Sequence, residues 1–341
     1  MAELAFSTSD LAQMRFAVSP MWEVVTSFRL LSTGGWDPPR PGSADSPAKH
    51  PVHRRWIEQV RPRMMAAGLD RGWLAELIPP SGYLPDFLNP APAGPAPTLA
   101  VELADILAAP DEQVRKDLDH LKNHRDGSAP QLKTLYADPE ACLPRVAEEI
   151  KTYWELALAP YWARIRVVLD ADVFHRARQV AEYGAARLFS DLHDSVSWDD
   201  NALRLVRRQR TLSRKTAGAG LVLIPSAFAG PGVFTRVRKP QPPQLAYPAR
   251  GVGSLWDTRT VTPSSAIAAV LGRSRALLLT ELDAPASTSE LAHRTGISAA
   301  GVSQHLTALR DAGLASAHRT GRSVLYARTA TAESLLAGAC P

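Results

Sequence analysis

Residues 296–327, GISAAGVSQHLTALRDAGLASAHRTGRSVLYA, leave this chain little freedom of local structure. Gly296 can take the left-handed backbone of a tight turn, and Ser298 follows it as a helix cap. Val302, Leu306 and Leu309 recur at i, i+4 and i+7, which marks one face of a helix over 298–312. Burial of that face holds Ala299, Ala300, Ser303, Gln304 and Thr307 outward on the other. Gly313 ends the helix, and residues 314–328 read as a hairpin with His318, Arg319, Thr320, Gly321 and Arg322 at its tip. Upstream, Ser287-Thr288-Ser289-Glu290 has capping-box spacing and opens a helix, SELAHRT, that stops at Gly296. A helix over 273–282 is expected to turn Leu277, Leu278 and Leu282 inward. Ile267, Val270 and Leu271 mark another, over 264–271.

Two short helices about a glycine turn, followed by a hairpin, form a winged helix-turn-helix, and double-stranded DNA becomes the first partner to expect. A small, uncharged, polar face suits the major groove. Gln304 can contact adenine bidentately, Ser303 a base or a phosphate, and Ala299 or Ala300 a thymine methyl. Ser298 and Thr307 border that face, and Arg310 is better placed for backbone phosphate. His318, Arg319 and Arg322 would hold the wing over a minor groove or its phosphates. A hairpin with solvated charges is the other reading of the wing.

The remaining 260 residues are read more coarsely. A length of 341 allows two or three domains, and 45% hydrophobic with 21% charged residues is an ordinary globular composition. The expected fold is mainly α: a multi-helix part over 1–194, a small basic β-rich segment over 195–260, and the winged helix over 261–341. Residues 1–200 hold 21 basic and 28 acidic side chains, a balance of −7, whereas 201–260 hold 11 basic and one acidic, a balance of +10. Residues 261–341 hold seven and five. Arginines among 204–215 and 236–250 thus either add phosphate contacts or form a solvated basic face. No apolar run is long enough for a membrane span, and the N-terminus carries acids where a signal peptide needs cations, so a cytoplasmic protein is expected. Cys142 and Cys340 are too few for a disulfide framework or a tetrahedral zinc site.

Helices are expected over 20–31, 52–67, 71–78, 98–108, 111–124 and through 138–193, the last broken at Pro160. Breaker-rich loops separate them, GGWDPPRPGSADSPAKHP and PPSGYLPDFLNPAPAGPAP among them. SVSWDD, ALRLV, GLVLIPSAF, GVFTRVR and LAYPA read as short strands, with Pro225, Pro243 and Pro248 implying short or edge positions. His120 and His124 share a helix face beside Asp117 and Asp119, either a metal pair short of ligands or a solvated charged helix. His50 and His53 are expected at the surface. Trp22, Trp56, Trp73, Trp154, Trp162 and Trp198 either line a small-molecule effector pocket in the N-terminal part or are plain core. No nucleophile elbow, phosphate-binding loop, zinc-helix motif or dinucleotide fingerprint appears, so no enzyme, no catalytic residue and no cofactor is expected; the alternatives to a DNA-binding regulator are a winged-helix protein-interaction module and an N-terminal enzyme domain fused to a DNA reader.

SELAHRTGISAAGVSQHLTALRDAGLASAHRTGRSVLYA resembles the arsenic-repressor class of winged-helix regulators over about the last 75 residues. The resemblance is carried by Glu290-Leu291-Ala292, Val302-Ser303-Gln304-His305-Leu306, Leu309-Arg310, Ala312-Gly313-Leu314, Arg319, Gly321-Arg322, Val324 and Tyr326. It implies a homodimer on an inverted-repeat operator, usually a repressor released by an effector. The family's metal-sensing cysteines are missing from SELAHRT, and TAESLLAGACP offers only Glu333 and Cys340 as ligands, so no metal site is expected. The family's usual Gln and Pro near the start of the recognition helix are Ala299 and Ala300 here, which implies fewer base contacts. PMWEVVTSFRLL, AYPARGVGSLW and the C-terminal winged helix together are similar to larger actinobacterial-type members with an uncharacterised helical N-terminal domain.

Overall fold

The computed structural model describes residues 2–5, 10, 12–32, 51–122, 130–199, 202–205, 220–238, 240–256, 265–320 and 323–338. They are mainly α with small sheets, as expected. Along the chain the strands are β1 (Ala2–Ala5), β2 (Arg15–Phe16), β3 (Val196–Asp199), β4 (Ala202–Leu205), β5 (Val222–Ser226), β6 (Phe234–Arg236), β7 (Gln244–Pro248), β8 (Ala286–Ser287), β9 (Ala315–Thr320) and β10 (Ser323–Arg328). They form three sheets, ordered β1-β4-β3, β2-β5-β7-β6 and β8-β10-β9.

The chain divides into two compact units, and neither is a continuous stretch. Unit 1 is Met1–Ser46, Gly68–Ile150 and Val168–Val252; unit 2 is Pro47–Ala67, Lys151–Val167 and Gly253–Pro341. This grouping is drawn differently from the expected order of three consecutive domains, 1–194, 195–260 and 261–341. Its cause is long-range pairing: β2 joins β5 in parallel, Arg15 opposite Val222 and Phe16 opposite Leu223, and β1 joins β4. All five residues of β5 are buried, as are Gln244 through Tyr247 of β7. Covered parallel strands read as continuous apolar runs, so residues 195–260 supply strands to a buried sheet.

Pro225 sits in β5, a strand between two neighbours, yet breaks no ladder. Arg15 and Ala17 donate to the carbonyls of Leu221 and Leu223, so odd residues of β5 face β2. β2 pairs no farther than Leu223, and Pro225 points its missing N–H past its end. At the start of the strand Gly220 has φ +70°, and a Cβ there would meet the Gln13 carbonyl at 2.5 Å. Its amide donates to the buried Asp10 carboxylate at 3.0 Å.

Helix Pro20–Ser32 lies inside unit 1, with every residue but Arg29 buried. Its first turn is satisfied from elsewhere. Ser19 Oγ accepts from Trp22 N at 3.2 Å and donates to Glu102 Oε1 at 2.5 Å, while Met21 N donates to Glu102 Oε2 at 2.8 Å. Glu23, fully buried, accepts from Ala227 N at 3.1 Å on each oxygen. Burial pushes the Glu23 carboxyl up to about 8 and that of Glu102 up to about 7, against the lowering effect of these hydrogen bonds. In helix Trp162–Tyr183, Asp172 is buried, accepting from Tyr247 Oη at 2.8 Å and Arg250 N at 3.0 Å, with Arg176 Nε 3.7 Å away.

The block 138–193 breaks at Pro160 as expected. Helix Pro139–Tyr153 runs into a π-helical turn, Trp154–Leu158, and a tighter turn, Ala159–Tyr161, before Trp162 restarts regular geometry. Helix Pro130–Ala137 has no counterpart in the sequence reading, because only Leu132 and Leu135 give it an apolar period.

Unit 2 places the 154–161 turn and helix Arg54–Ala66 with the C-terminal residues. Trp56 Nε1 donates to the Ala157 carbonyl at 2.9 Å, and Tyr161 Oη donates to Gln59 Oε1 at 2.8 Å. The wing strands β9 and β10 pack on the same turn. His53, expected at the surface, is buried and accepts from Trp256 Nε1 at 3.0 Å. His50 lies outside the described residues.

Candidate nucleic-acid interface

The interface is built from helices Thr288–Thr295 and Ala299–Asp311 and the β9–β10 hairpin. Ser287 caps the first helix: its hydroxyl accepts from Glu290 N at 3.3 Å, and Glu290 Oε2 accepts from Ser287 N at 2.6 Å. Burial opposes ionisation of Glu290, but the hydrogen bonds from Ser287 outweigh it and hold the carboxyl below its ordinary range. Gly296 closes the helix at φ +70°, where a side chain would be strained. Ser298 then caps the second helix, accepting from Gly301 N at 3.2 Å.

Val302, Leu306 and Leu309 are buried and join Leu278, Leu279, Leu282, Leu291 and Leu314 in one core cluster. Leu278 and Leu282 point inward as expected, but Leu279 takes the place foreseen for Leu277, which is half-buried. The complementary face is open: Ser298, Ala299, Ala300, Ser303, Gln304, Thr307 and Arg310 are all exposed. Arg310 Nη2 lies 3.2 Å from Asp311 Oδ1, with both side chains at least half exposed. Such a surface pair is worth less than about 1 kcal/mol and yields readily to a phosphate.

The wing separates the remaining residues. Arg319 is exposed, and Arg322 lies outside the described residues. His318, expected at the DNA, is partly buried. Its side chain is 16% exposed, with Nε2 2.9 Å from Ser316 Oγ and Nδ1 3.5 Å from Glu155 Oε2, so both ring nitrogens are engaged within the protein. Arg328, which sequence reasoning did not single out as functional, is the structural key of the wing. Its Nε and Nη2 donate at 2.5 Å to the carbonyls of Leu279 and Thr280, which helix Arg273–Glu281 leaves free at its C-terminal end. An arginine closing a strand beside a helix end is the signal that was available.

Arg236, among the arginines expected to contact phosphate, is buried at 3% exposure. Most of 204–215 lies outside the described residues. Of the six tryptophans, Trp22 is core in unit 1, whereas Trp56 lies in unit 2 and lines a shallow recess with Tyr161 and Trp256. His120 sits edge-on to the Tyr83 ring at 5.4 Å, Asp117 turns inward, and His124 lies outside the described residues. No cluster of three metal-ligating side chains occurs among the described residues. Glu333 is 3.4 Å from Arg164 and 3.5 Å from Arg328. Cys142 is free and buried, and Cys340 lies outside the described residues. No helix among the described residues is long and apolar enough to cross a membrane.

Comparison with known proteins finds two separate matches. Residues 118–253 match a family of unknown function (DUF5937), and residues 271–316 match a helix-turn-helix domain family. No curated protein and no solved structure matches the chain. Capped helices about Gly296, an open polar face and the match at 271–316 agree: the chain carries a helix-turn-helix domain and is, by class, a DNA-binding regulator.

Proposed function

We propose that the protein is a transcriptional repressor of the arsenic-repressor class that binds an inverted-repeat operator as a homodimer and is released by a small-molecule effector held by the rest of the chain. The observation that carries this reading is the exposed face of helix Ala299–Asp311, uncharged from its Ser298 cap through Thr307 and backed by an apolar core. It fits the major groove, with Gln304 and Ser303 toward base edges and Arg310 and Arg319 toward phosphates. A second copy has apolar surface to use: Val270 is 83% exposed and Leu335 41%. Two copies related by a two-fold axis would set their recognition helices about 34 Å apart, one turn of DNA. The reading assigns the chain no catalytic step.

Selection of bound sites from random duplexes, followed by anisotropy titration at two salt concentrations, tests it. Affinity for the selected site is expected to fall with salt at a log–log slope of about −0.9 per phosphate contacted. Gln304→Ala should weaken the selected site roughly 5- to 150-fold, the ~1–3 kcal/mol of one bidentate base contact, and leave random DNA unchanged. Arg322→Ala should weaken both alike. Equal losses on both duplexes for Gln304→Ala would remove that side chain from the groove, and a folded chain with no sequence preference would end the proposal.

A further inference from the structure

Unit 1 holds a buried guanidinium with both nitrogens of one edge unmet among the described residues. Arg236 ends β6, 3% exposed, opposite Gln244 of β7 and on the same sheet face as Phe234. Its Nε and Nη2 have no hydrogen-bond partner among the described residues. These two nitrogens share one edge of the guanidinium, and their N–H bonds run parallel. That edge fits the two oxygens of one carboxylate. Gln244 and Asp117 nearby are already committed. Gln244 Oε1 accepts from Trp22 Nε1 at 2.7 Å, and Gln244 Nε2 donates to the Asn89 carbonyl at 3.2 Å. Asp117 Oδ2 accepts from Phe87 N at 2.8 Å, and its Oδ1 from Tyr83 Oη at 3.0 Å and Gln113 Nε2 at 2.6 Å.

A second group beside Gln244 is also unmet. Asn89 is 3% exposed and its Oδ1 has no partner among the described residues. Buried donors and acceptors left open in this way are costly and normally find a partner. The rings of Trp22 and Phe234, 6.3 Å apart, supply apolar surface on the same sheet face.

We infer that Arg236 anchors a site in unit 1 for a small organic monocarboxylate, gripped side-on through Nε and Nη2, with Asn89 Oδ1 accepting from a donor on its body. A monoanion fits better than a phosphate because Asp86 and Asp117 already act on Arg236, and a doubly charged ligand would face both carboxylates. Regulatory use of the site rests on the proposal of an effector-released repressor; the site itself rests on the unmet donors alone.

The test uses the full chain without DNA. Melting temperature is measured with acetate, benzoate and 4-hydroxybenzoate at matched ionic strength, against benzamide and inorganic phosphate. Benzoate at roughly ten times its Kd should raise the melting temperature by about 3 °C, benzamide should not, and Arg236→Lys should abolish the rise. No rise with any of the three carboxylates overturns the proposal. So does an equal rise in Arg236→Lys, which keeps the charge but not the parallel pair, or an equal rise with phosphate. If that variant does not fold, arginine-labelled wild-type protein decides: one Nε–H resonance should move downfield with benzoate, and an unchanged spectrum overturns the site. Anisotropy on the selected duplex is then repeated with benzoate. Binding through Arg236 without effect on DNA affinity ends the regulatory use and leaves the site standing, and a chain that binds benzoate but no DNA ends the repressor reading alone.

Discussion

Asp172→Ala is expected to destabilise unit 1 by about 3–5 kcal/mol, the usual cost of removing one partner from a buried charge pair. Both members of the pair are inaccessible, with side-chain exposures of 0% for Asp172 and 3% for Arg176. Alanine would leave the Arg176 charge without its carboxylate and the Tyr247 hydroxyl and Arg250 amide without their acceptor. Arg176 keeps two bonds from Nη1, to the Asp191 carbonyl at 3.0 Å and to Gln179 Oε1 at 3.4 Å, and these neutral acceptors do not offset a charge. Asp172→Asn retains an acceptor for the hydroxyl and should lose less than the alanine variant. Urea unfolding measures both, with an unchanged m-value identifying a pure stability effect. A loss below about 1 kcal/mol for Asp172→Ala would mean that water reaches the pair.

Unit 1 should also lose stability as pH rises through neutrality, the reverse of the common behaviour of paired carboxylates. Glu23 has its carboxyl raised to about 8 in the folded state from an ordinary value of 4.5. Between those values the native chain keeps a proton that the unfolded chain gives up. The contribution is complete below about pH 4.5 and is lost as pH climbs to about 8, a change of up to roughly 5 kcal/mol. Glu102, raised to about 7, acts in the same direction over a narrower range. Glu23→Gln should flatten the stability profile between pH 5 and 8 and exceed wild type at pH 8, since the amide oxygen can still accept from Ala227 N. A wild-type profile already flat across that range would show Glu23 to be hydrated.

What the sequence made legible is what local chemistry decides. The Ser287–Glu290 box, the Gly296 turn, the Ser298 cap and the inward Val302, Leu306 and Leu309 each depend on residues within one or two turns. The pairing of β2 with β5 was not legible, because a two-residue parallel strand has no period and its partner lies about two hundred residues away. Helix Arg54–Ala66 was foreseen, but amphipathic spacing says which face is covered and not by what, so its place in unit 2 was not. Charge misled at Arg236 and His53. Both were read as solvent-facing for their polarity, whereas strand alternation in so short a segment as β6 carries too little signal to say which way Arg236 turns. At the wing, His318 was placed by hairpin position alone, and Glu155, which approaches it, comes from a distant helical stretch.

The threading of unit 2 through three stretches of chain also sets an order of events during synthesis. Tyr161 and the turn before it leave the ribosome well over a hundred residues ahead of the wing strands that cover them. At roughly 5–20 residues per second the wait is about ten to thirty seconds, and that of Trp56, Ile57, Val60 and Met64 is longer still. These sticky faces stay naked while the strands of unit 1 are still being synthesised, so a nascent chain stalled before residue 314 would be a natural client for chaperones.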